Sequence, residues 1–565
     1  MKQNYNETIE TKPIFNLKWY TGRDEYSEGN VEDEIIEMIC KEEPENYSEA
    51  IHNNLSWSSY YHLTNIRKNI INWYPFRPDA DVLEIGCGMG AITDCLCENC
   101  HSVTAVEMSK RRATATLLRC RNRENLEIIV GNLNDIKFEK KFDYITLIGV
   151  LEYQGDYTDT ENPYHDFLKK IKSLLKPDGK LLIAIENQYG LKYWCGARED
   201  HTGIPFEGLN QYRLSNRNVR TFSKKGLEKL VRECGFKNTY FYYPMPDYKL
   251  PTVIYSQDYL PKNDNMLNMK CYYIPDNYTL VANEKDLYKD IIDNNAFEFF
   301  ANSFLLECSE DSYIGKVKFA SISNKRQKEY QVITRFIGDS VEKYSVHKDI
   351  GRKHMQQILE NEKAFQQRGL HVWKSDYIDG KLVTPFCDKM TCEEKILDDI
   401  SNGNQSAIVE MFDKLYNQII ASSEQADWEE NILYSFYPDL EKDKNKYGII
   451  LKMGYLDMIF RNAFWIDNEF WWFDQEWNLE NVPAKYPMYR AIVEMYHSYP
   501  NLQKIVSVQD IIARYDIGSS LDEIQALEKL FIGVVCDKYG LSAGNSLPSI
   551  SDDSIVNTIN RILQK

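Results

Sequence analysis

The chain has 565 residues, 43% hydrophobic and 27% charged, a balance that fits folded domains and excludes a disordered chain. A formal net charge of −18 disfavours a nucleic-acid binder, which needs a basic surface to track phosphates. No apolar leader follows Met1 and no stretch approaches the roughly 18 apolar residues of a membrane span, so the thirteen cysteines are expected as free thiols in a cytoplasmic, reducing setting.

Residues 1–54 read as an N-terminal extension. A helix starting near residues 60–67 is expected to cover a ligand. Residues 81–85 form a short apolar strand that ends in Gly86-Cys87-Gly88-Met89-Gly90, and residues 91–94 open a helix. Strand, glycines and helix in that order give a tight turn at which a ligand approaches the backbone closely. Cys95, Cys97 and Cys100 with His101 look superficially like a metal knuckle, but no second such pair is nearby, and small buried side chains are the expectation.

A second strand, 102–106, ends at Glu107, about 20 residues past the loop, where an acid can accept hydrogen bonds from ribose hydroxyls. A third, 126–130, leads into Asn132 and Leu133. A fourth, 142–148, leads into Gly149, Val150, Leu151 and Glu152. A helix over 167–175 and the turn Lys176-Pro177-Asp178-Gly179 precede a fifth strand, 180–185. This alternation predicts an α/β fold, a Rossmann-like doubly wound parallel sheet. The polar run 186–201 follows the fifth strand. His201 is its natural base and Arg198 its natural anion holder, unless Arg198, Glu199 and Asp200 only form a structural ion-pair turn.

Over roughly residues 55–250, within a domain read as 55–255, the pattern resembles the class I methyltransferases that use S-adenosylmethionine (SAM). The carriers are Glu84 two residues before the first glycine and the run Leu174-Leu175-Lys176-Pro177-Asp178-Gly179-Lys180-Leu181-Leu182-Ile183. The resemblance implies that Glu84 lies beneath the methionine end of SAM, that Gly86, Gly88 and Gly90 line its amino-acid moiety, and that Glu107 holds the ribose. Met108, Asn132 and Leu133 would then border the adenine, and Gly149 and Leu151 would face the sulfonium. Asn132 departs from the family's more usual Asp.

Residues 256–285 read as a linker rich in Asp, Asn, Lys and Pro, and residues 286–565 as a second, α+β domain with lobes at 286–387 and 388–565. Strands are expected at 313–323 and 329–336 as a hairpin, then at 340–344, followed by a helix over 354–368 and short strands at 373–378 and 381–386. Downstream, Asp457 and Asn462 are followed by a hairpin turned at Asp467-Asn468 and by Asp474. This series resembles the aminoglycoside-phosphotransferase and protein-kinase type. The resemblance implies Asp457 as base, Asn462 and Asp474 as Mg²⁺ ligands, Lys343 as phosphate-binding lysine with Glu360 or Glu362 as its helix partner, and ATP as nucleotide. The glycine-rich loop of that family is absent before Lys343, and Tyr455 replaces its usual His. The aromatic cluster from Phe464 to Trp477 reads as core rather than a sugar platform.

Domain order resembles the methyltransferase–kinase enzymes that cap bacterial O-antigen chains and the methyltransferases of bacterial glycan clusters. That implies a cell-surface glycan or its precursor as methyl acceptor. The alternatives are a small-molecule O-methyltransferase with a scaffolding second domain, and a non-catalytic SAM- or glycan-binding protein.

Overall fold

Strands β1 (Ile14–Trp19), β2 (Asp81–Ile85), β3 (Ser102–Glu107), β4 (Leu126–Gly131), β5 (Phe142–Ile148) and β6 (Leu175–Glu186) run parallel, in the spatial order β1-β4-β3-β2-β5-β6. The nearly continuous burial of β2, β3, β4 and β5 is that of a sheet covered on both faces. The sheet belongs to a computed structural model that describes residues 9–262, 279–546 and 552–564, apart from 25, 28 and 441. The chain divides into two units, Met1–Asn324 with Lys538–Lys565, and Lys325–Asp537.

In the first unit, Glu84 of β2 pairs with Ala105 of β3 on one side and Thr146 of β5 on the other. The three strands therefore end level. The order reverses between β2 and β5, so the loops beyond their carboxyl ends diverge and open a crevice there. Past β6 the sheet turns antiparallel, continuing as β9 (Ser303–Ser309), β7 (Asn238–Met245), β8 (Val253–Ser256) and β10 (Val317–Ile322). Glu307 on β9 fixes this insertion. It accepts from Tyr74 Oη at 2.6 Å, Lys180 Nζ at 3.1 Å and the Gly315 amide at 3.0 Å, a buried carboxylate with partners on several segments.

This division differs from the sequence reading of a linker at 256–285 and a second domain from 286. Residues 263–278 of that linker lie outside the described residues. Beyond it, β9 is wedged between β6 and β7, so the first unit's sheet is incomplete without it. A strand arriving from that far along the chain leaves no local signal of where it pairs. Nor is the N-terminal segment a detached extension. β1 pairs with β4, and Ile35, Ile39, Tyr47 and Ile51 share a core with Met89, Leu118 and Ala543. Ala543 lies on the helix Lys538–Ser546, which the sequence reading gave to the second domain.

In the second unit, β11 (Val332–Ile337), β12 (Ser340–Ser345), β15 (Lys381–Pro385) and β14 (Asp376–Ile378) form an antiparallel ribbon in the spatial order β11-β12-β15-β14. The helix Arg352–Gln367 and the short β13 (His371–Val372) lie in sequence between β12 and β14. β16 (Ile450–Tyr455) pairs with β19 (Asn478–Pro483), and β17 (Ala463–Ile466) forms a hairpin with β18 (Glu469–Trp472). That hairpin turns at Asp467 and Asn468, with φ of +52° and +62°, a left-handed pair tolerated by these short polar side chains. β10 and β11 fall where the sequence reading placed strands at 313–323 and 329–336. Phe470 and Trp472 are buried in the core of the second unit.

Candidate cofactor and acceptor site

The crevice beyond β2, β3 and β5 is a cavity of about 420 Å³. Gly86 and Gly88 form its floor. Gly86 takes φ of +74°, and a Cβ there would sit 2.5 Å from Val150 Cγ2, so the loop lies against the chain after β5. Gly90 turns the chain with φ of +75° and leaves space only for the neighbouring helix, its Cβ position being 3.0 Å from Thr116 Cα. Gly90 is thus a packing residue and is not among the cavity's lining residues.

Glu84, Glu107, Met108, Asn132, Leu133 and Gly149 all line the cavity. Glu107 Oε2 accepts from the Gly88 amide at 2.9 Å and Oε1 from the Ser109 amide at 3.0 Å, which ties the end of β3 to the loop after β2. Asn132 Oδ1 accepts from the Asn134 amide at 2.9 Å, fixing the turn after β4. Leu151 departs from expectation. It is fully buried in a one-turn 3-10 helix, Leu151–Tyr153, and faces core rather than the cavity. Burial, with Glu107 nearby, pushes the Glu84 carboxyl up to about 7, and its Oε2 has no hydrogen-bond partner. A buried carboxylate oxygen left open at a cavity wall suits a cationic ligand group. Trp57, Ser58, Tyr61 and His62, from the helix Trp57–Leu63, complete the wall as a cover.

The cavity's far end is charged. His201 is only 4% exposed as a side chain. Its Nδ1 lies 2.9 Å from Glu199 Oε1, and its Nε2 lies 3.4 Å from Glu152 Oε1 and 3.7 Å from Glu186 Oε2. Burial disfavours the imidazolium, but Glu186, Glu152 and Glu199 outweigh burial and hold His201 well above the ordinary histidine value. The residue that the sequence reading took as the base thus lies among three carboxylates. Lys249 Nζ lies 2.6 Å from Glu186 Oε1 and also pairs with Asp200, which Lys192 meets at 2.8 Å. Glu199 and Asp200 thus belong to a network of buried charges. Tyr248 donates to Glu186 Oε1 at 3.2 Å and stands over Gly149, where a Cβ would be 2.9 Å from its hydroxyl.

The cysteines after the glycine loop pack inward. Cys95 and Cys97 lie on the helix Thr93–Asn99, and burial pushes the thiols of Cys95 and Cys100 up to about 12.

In the second unit the expected residues do converge. Lys343 on β12 pairs with Asp474 and lies 2.5 Å from Glu476 Oε1. The Glu476 amide donates to Asp457 Oδ2 at 3.0 Å, and Asn462 Nδ2 donates to the Asp457 carbonyl at 3.2 Å. Burial and Glu476 push Asp457 up to about 7. One expectation is corrected. Glu362 is not the lysine's partner, because its carboxylate caps Ser375 through the amide at 3.0 Å and the hydroxyl at 2.7 Å. Glu476 takes that place and also meets Arg326 and His354. Asn462 is engaged through its amide nitrogen, and Asp474 pairs with Lys343 through one carboxylate oxygen.

Residues 61–240 match a family model described as a methyltransferase domain. The region is similar to Nodulation protein S of Rhizobium tropici, 26% identical over 117 residues, which cover 21% of this chain and 48% of that protein. It is similar also to the malonyl-[acyl-carrier protein] O-methyltransferase of Priestia megaterium, 27% identical over 111 residues, 19% of this chain and 38% of that protein. This stretch is a SAM-dependent methyltransferase domain. A solved methyltransferase of Thermotoga maritima, titled a possible histamine N-methyltransferase, is 15% identical with a TM-score of 0.28, covering 47% of this chain and all of that one. The chain spans about half the length, or less, of these curated relatives. Within the methyltransferase domain, the sequence reading missed Glu152, Glu186, Tyr248 and Lys249 as one cluster. The signal available was two acids closing consecutive parallel strands, Glu152 just past β5 and Glu186 at the end of β6.

Proposed function

We propose that the first unit transfers the methyl group of SAM to a hydroxylated acceptor, and that the acceptor is a glycan or glycan precursor. When bound, SAM supplies a methyl carbon activated by its sulfonium and open to in-line displacement. Glu84, with its unpartnered oxygen, fits the ammonium of the amino-acid end, and the Gly86–Gly88 amides fit the carboxylate. Glu107 fits the ribose hydroxyls, and Met108, Asn132 and Leu133 fit the adenine. Gly149, without a side chain, leaves the acceptor room to approach the methyl carbon.

The observation that carries this reading is the joint lining of one cavity by Glu84, Gly86, Gly88 and Glu107. The acceptor end supports a polar, hydroxyl-bearing substrate, since Trp57, Tyr61, Tyr153 and Tyr157 offer ring faces beside Asp200, His201 and Lys249. Domain order, as read in the sequence, favours a glycan over a small metabolite. His201 acts there by position and charge, not as a free base. The test is calorimetry with SAM and S-adenosylhomocysteine (SAH), followed by incubation with labelled SAM and fractionated glycan, lipid and protein pools. Label confined to protein or to small metabolites overturns the glycan acceptor, and absence of SAM and SAH binding overturns the whole reading.

A kinase-like role for the second unit is a further reading, favoured by Lys343 reaching Asp474 from β12 beside the buried Asp457. In that reading ATP with Mg²⁺ would have to displace the Lys343–Asp474 pair before the carboxylate took a cation. A thermal shift with ATP plus Mg²⁺ tests it, because a ligand that binds only the folded unit raises its melting temperature. No shift at millimolar ATP leaves the unit a scaffold.

A further inference from the structure

Five carboxylates at the acceptor end, Glu152, Glu186, Glu199, Asp200 and Asp247, face two lysines and one imidazole. Even with His201 protonated, positive charge falls short by two. The shortfall has a location. Lys249 and Tyr248 occupy Glu186 Oε1, Lys192 and Lys249 occupy Asp200, and Glu199 is occupied by the His201 ring, the His201 and Thr202 amides and the Tyr212 hydroxyl. Glu152 is 1% exposed, yet its Oε2 has no partner, and its Oε1 has only His201 Nε2 at 3.4 Å. Glu186 Oε2, equally buried, has only the same nitrogen at 3.7 Å. Separations of this size are too long for charge-assisted hydrogen bonds.

We propose that Glu152, Glu186 and His201 hold a divalent cation at the inner end of the cavity. Their ligand atoms lie within 4.8 Å of one another. Bonds of about 2.0–2.2 Å to one ion span at most about 4.4 Å between ligands, so closure needs a contraction of a few tenths of an ångström. The support behind the ring is already in place. Glu199 accepts from His201 Nδ1, which turns Nε2 toward the two carboxylates, the carboxylate–histidine–metal arrangement that fixes a ligating tautomer. One imidazole nitrogen with two carboxylate oxygens favours Mn²⁺, Fe²⁺ or Zn²⁺ over Mg²⁺ or Ca²⁺, which prefer oxygen throughout. Cation entry would displace the Nε2 proton to solvent and leave the Nδ1 proton on the ring, donated to Glu199. Three protein ligands leave coordination positions open, and Glu152 and His201 both line the cavity. Those positions therefore face the space where a hydroxyl acceptor would sit, and an oxygen bound there is more acidic and held in place. That last consequence rests on the methyltransferase reading; the cation site itself does not.

The test uses the full chain, with Mn²⁺ as the probe. Electron paramagnetic resonance is expected to count one bound Mn²⁺ per chain, and pulsed measurements to show coupling to one imidazole nitrogen. Glu152→Gln and Glu186→Gln are each expected to weaken binding at least 10-fold, and Glu199→Gln, one step removed, about 10-fold. SAH calorimetry on every variant reports that the cavity has folded. Bound Mn²⁺ without nitrogen coupling overturns the site, and this readout needs no ligand variant. So does unchanged Mn²⁺ affinity in both folded glutamine variants. A chain that binds SAH and no Mn²⁺ also overturns the cation site and leaves the methyltransferase reading standing.

Discussion

Glu107 and Gly88 are joined across the mouth of the cavity, carboxylate oxygen to loop amide, at 2.9 Å. One side chain thereby sets the height of the glycine loop and presents its remaining lone pairs to a ligand. Glu107→Ala is expected to cost about 1–3 kcal/mol of SAM affinity, roughly 10- to 100-fold in Kd, by loss of charged hydrogen bonds. Glu107→Gln, which keeps one acceptor, should fall between. Calorimetry with SAH measures both, and wild-type affinity in the alanine variant would exclude a ribose role.

Glu84 sets a pH dependence. Its folded carboxyl is raised from 4.5 to about 7 by burial, then by Glu107. A raised carboxyl binds its proton more tightly folded than unfolded. Its stabilising contribution is therefore full below pH 4.5 and is lost as pH rises through 7. The window is worth on the order of 3 kcal/mol. Glu84→Gln should flatten this slope, so that the variant gains on wild type between pH 5 and 8. Melting temperatures across that range, without ligand, decide it, and parallel profiles would contradict the assignment.

Gly86→Ala and Gly90→Ala should separate binding from folding. Both force a Cβ into positive φ at a cost of about 1 kcal/mol or more. At Gly90 the added methyl meets the Thr116 backbone and should chiefly lower the melting temperature. At Gly86 it meets Val150 at the cavity floor and should chiefly weaken SAH binding. Equal losses of both properties in both variants would refute this division.

Lys343→Met leaves Asp474 and Glu476 facing each other without their cation. Breaking a buried pair on one side costs about 3–5 kcal/mol. Arg326 and His354 still hold Glu476, so the lower figure is expected. Denaturant unfolding of the full chain should show the loss in one transition, and Lys343→Arg should recover part of it. A change below 1 kcal/mol would mean that the pair is not formed.

Truncation after residue 262 should yield an aggregating product, whereas the intact chain folds. Without β9, strands β6 and β7 each present an unpaired edge, and Tyr74, Lys180 and Tyr242 lose Glu307. Soluble, SAH-binding protein ending at 262 would show β9 to be dispensable.

The parallel half of the first sheet was legible because each strand announces itself. Glu84, Gly86, Gly88 and Glu107 occupy ends of adjacent strands, and their spacing along the chain maps directly onto their spacing in the cavity. The acceptor end was not legible, since Glu152, Glu186, His201 and Lys249 come from four separate segments and meet only through strand order. Leu151 was misjudged for a related reason. The chain turns into a single 3-10 turn after Gly149, which sends Leu151 inward and Glu152 toward His201. In the second unit, the order Lys343, Asp457, Asn462, Asp474 was readable, but which carboxylate meets the lysine was not. Glu362 and Glu476 are both acids near plausible positions, and only the path of the chain after Asp474 chooses between them.

The helix Lys538–Ser546 packs beside the helix Tyr47–Asn53, with the rings of His52 and Tyr539 5.5 Å apart. The first unit is therefore discontinuous in sequence, and the second is a continuous insert in its chain. During synthesis the insert has all its own residues before the host does. The core around Ile35, Ile51 and Leu118 lacks Ala543 until residues 538–546 leave the ribosome. A nascent chain stalled within the insert should therefore expose that apolar face, and chaperone dependence should be concentrated in the host rather than in the insert.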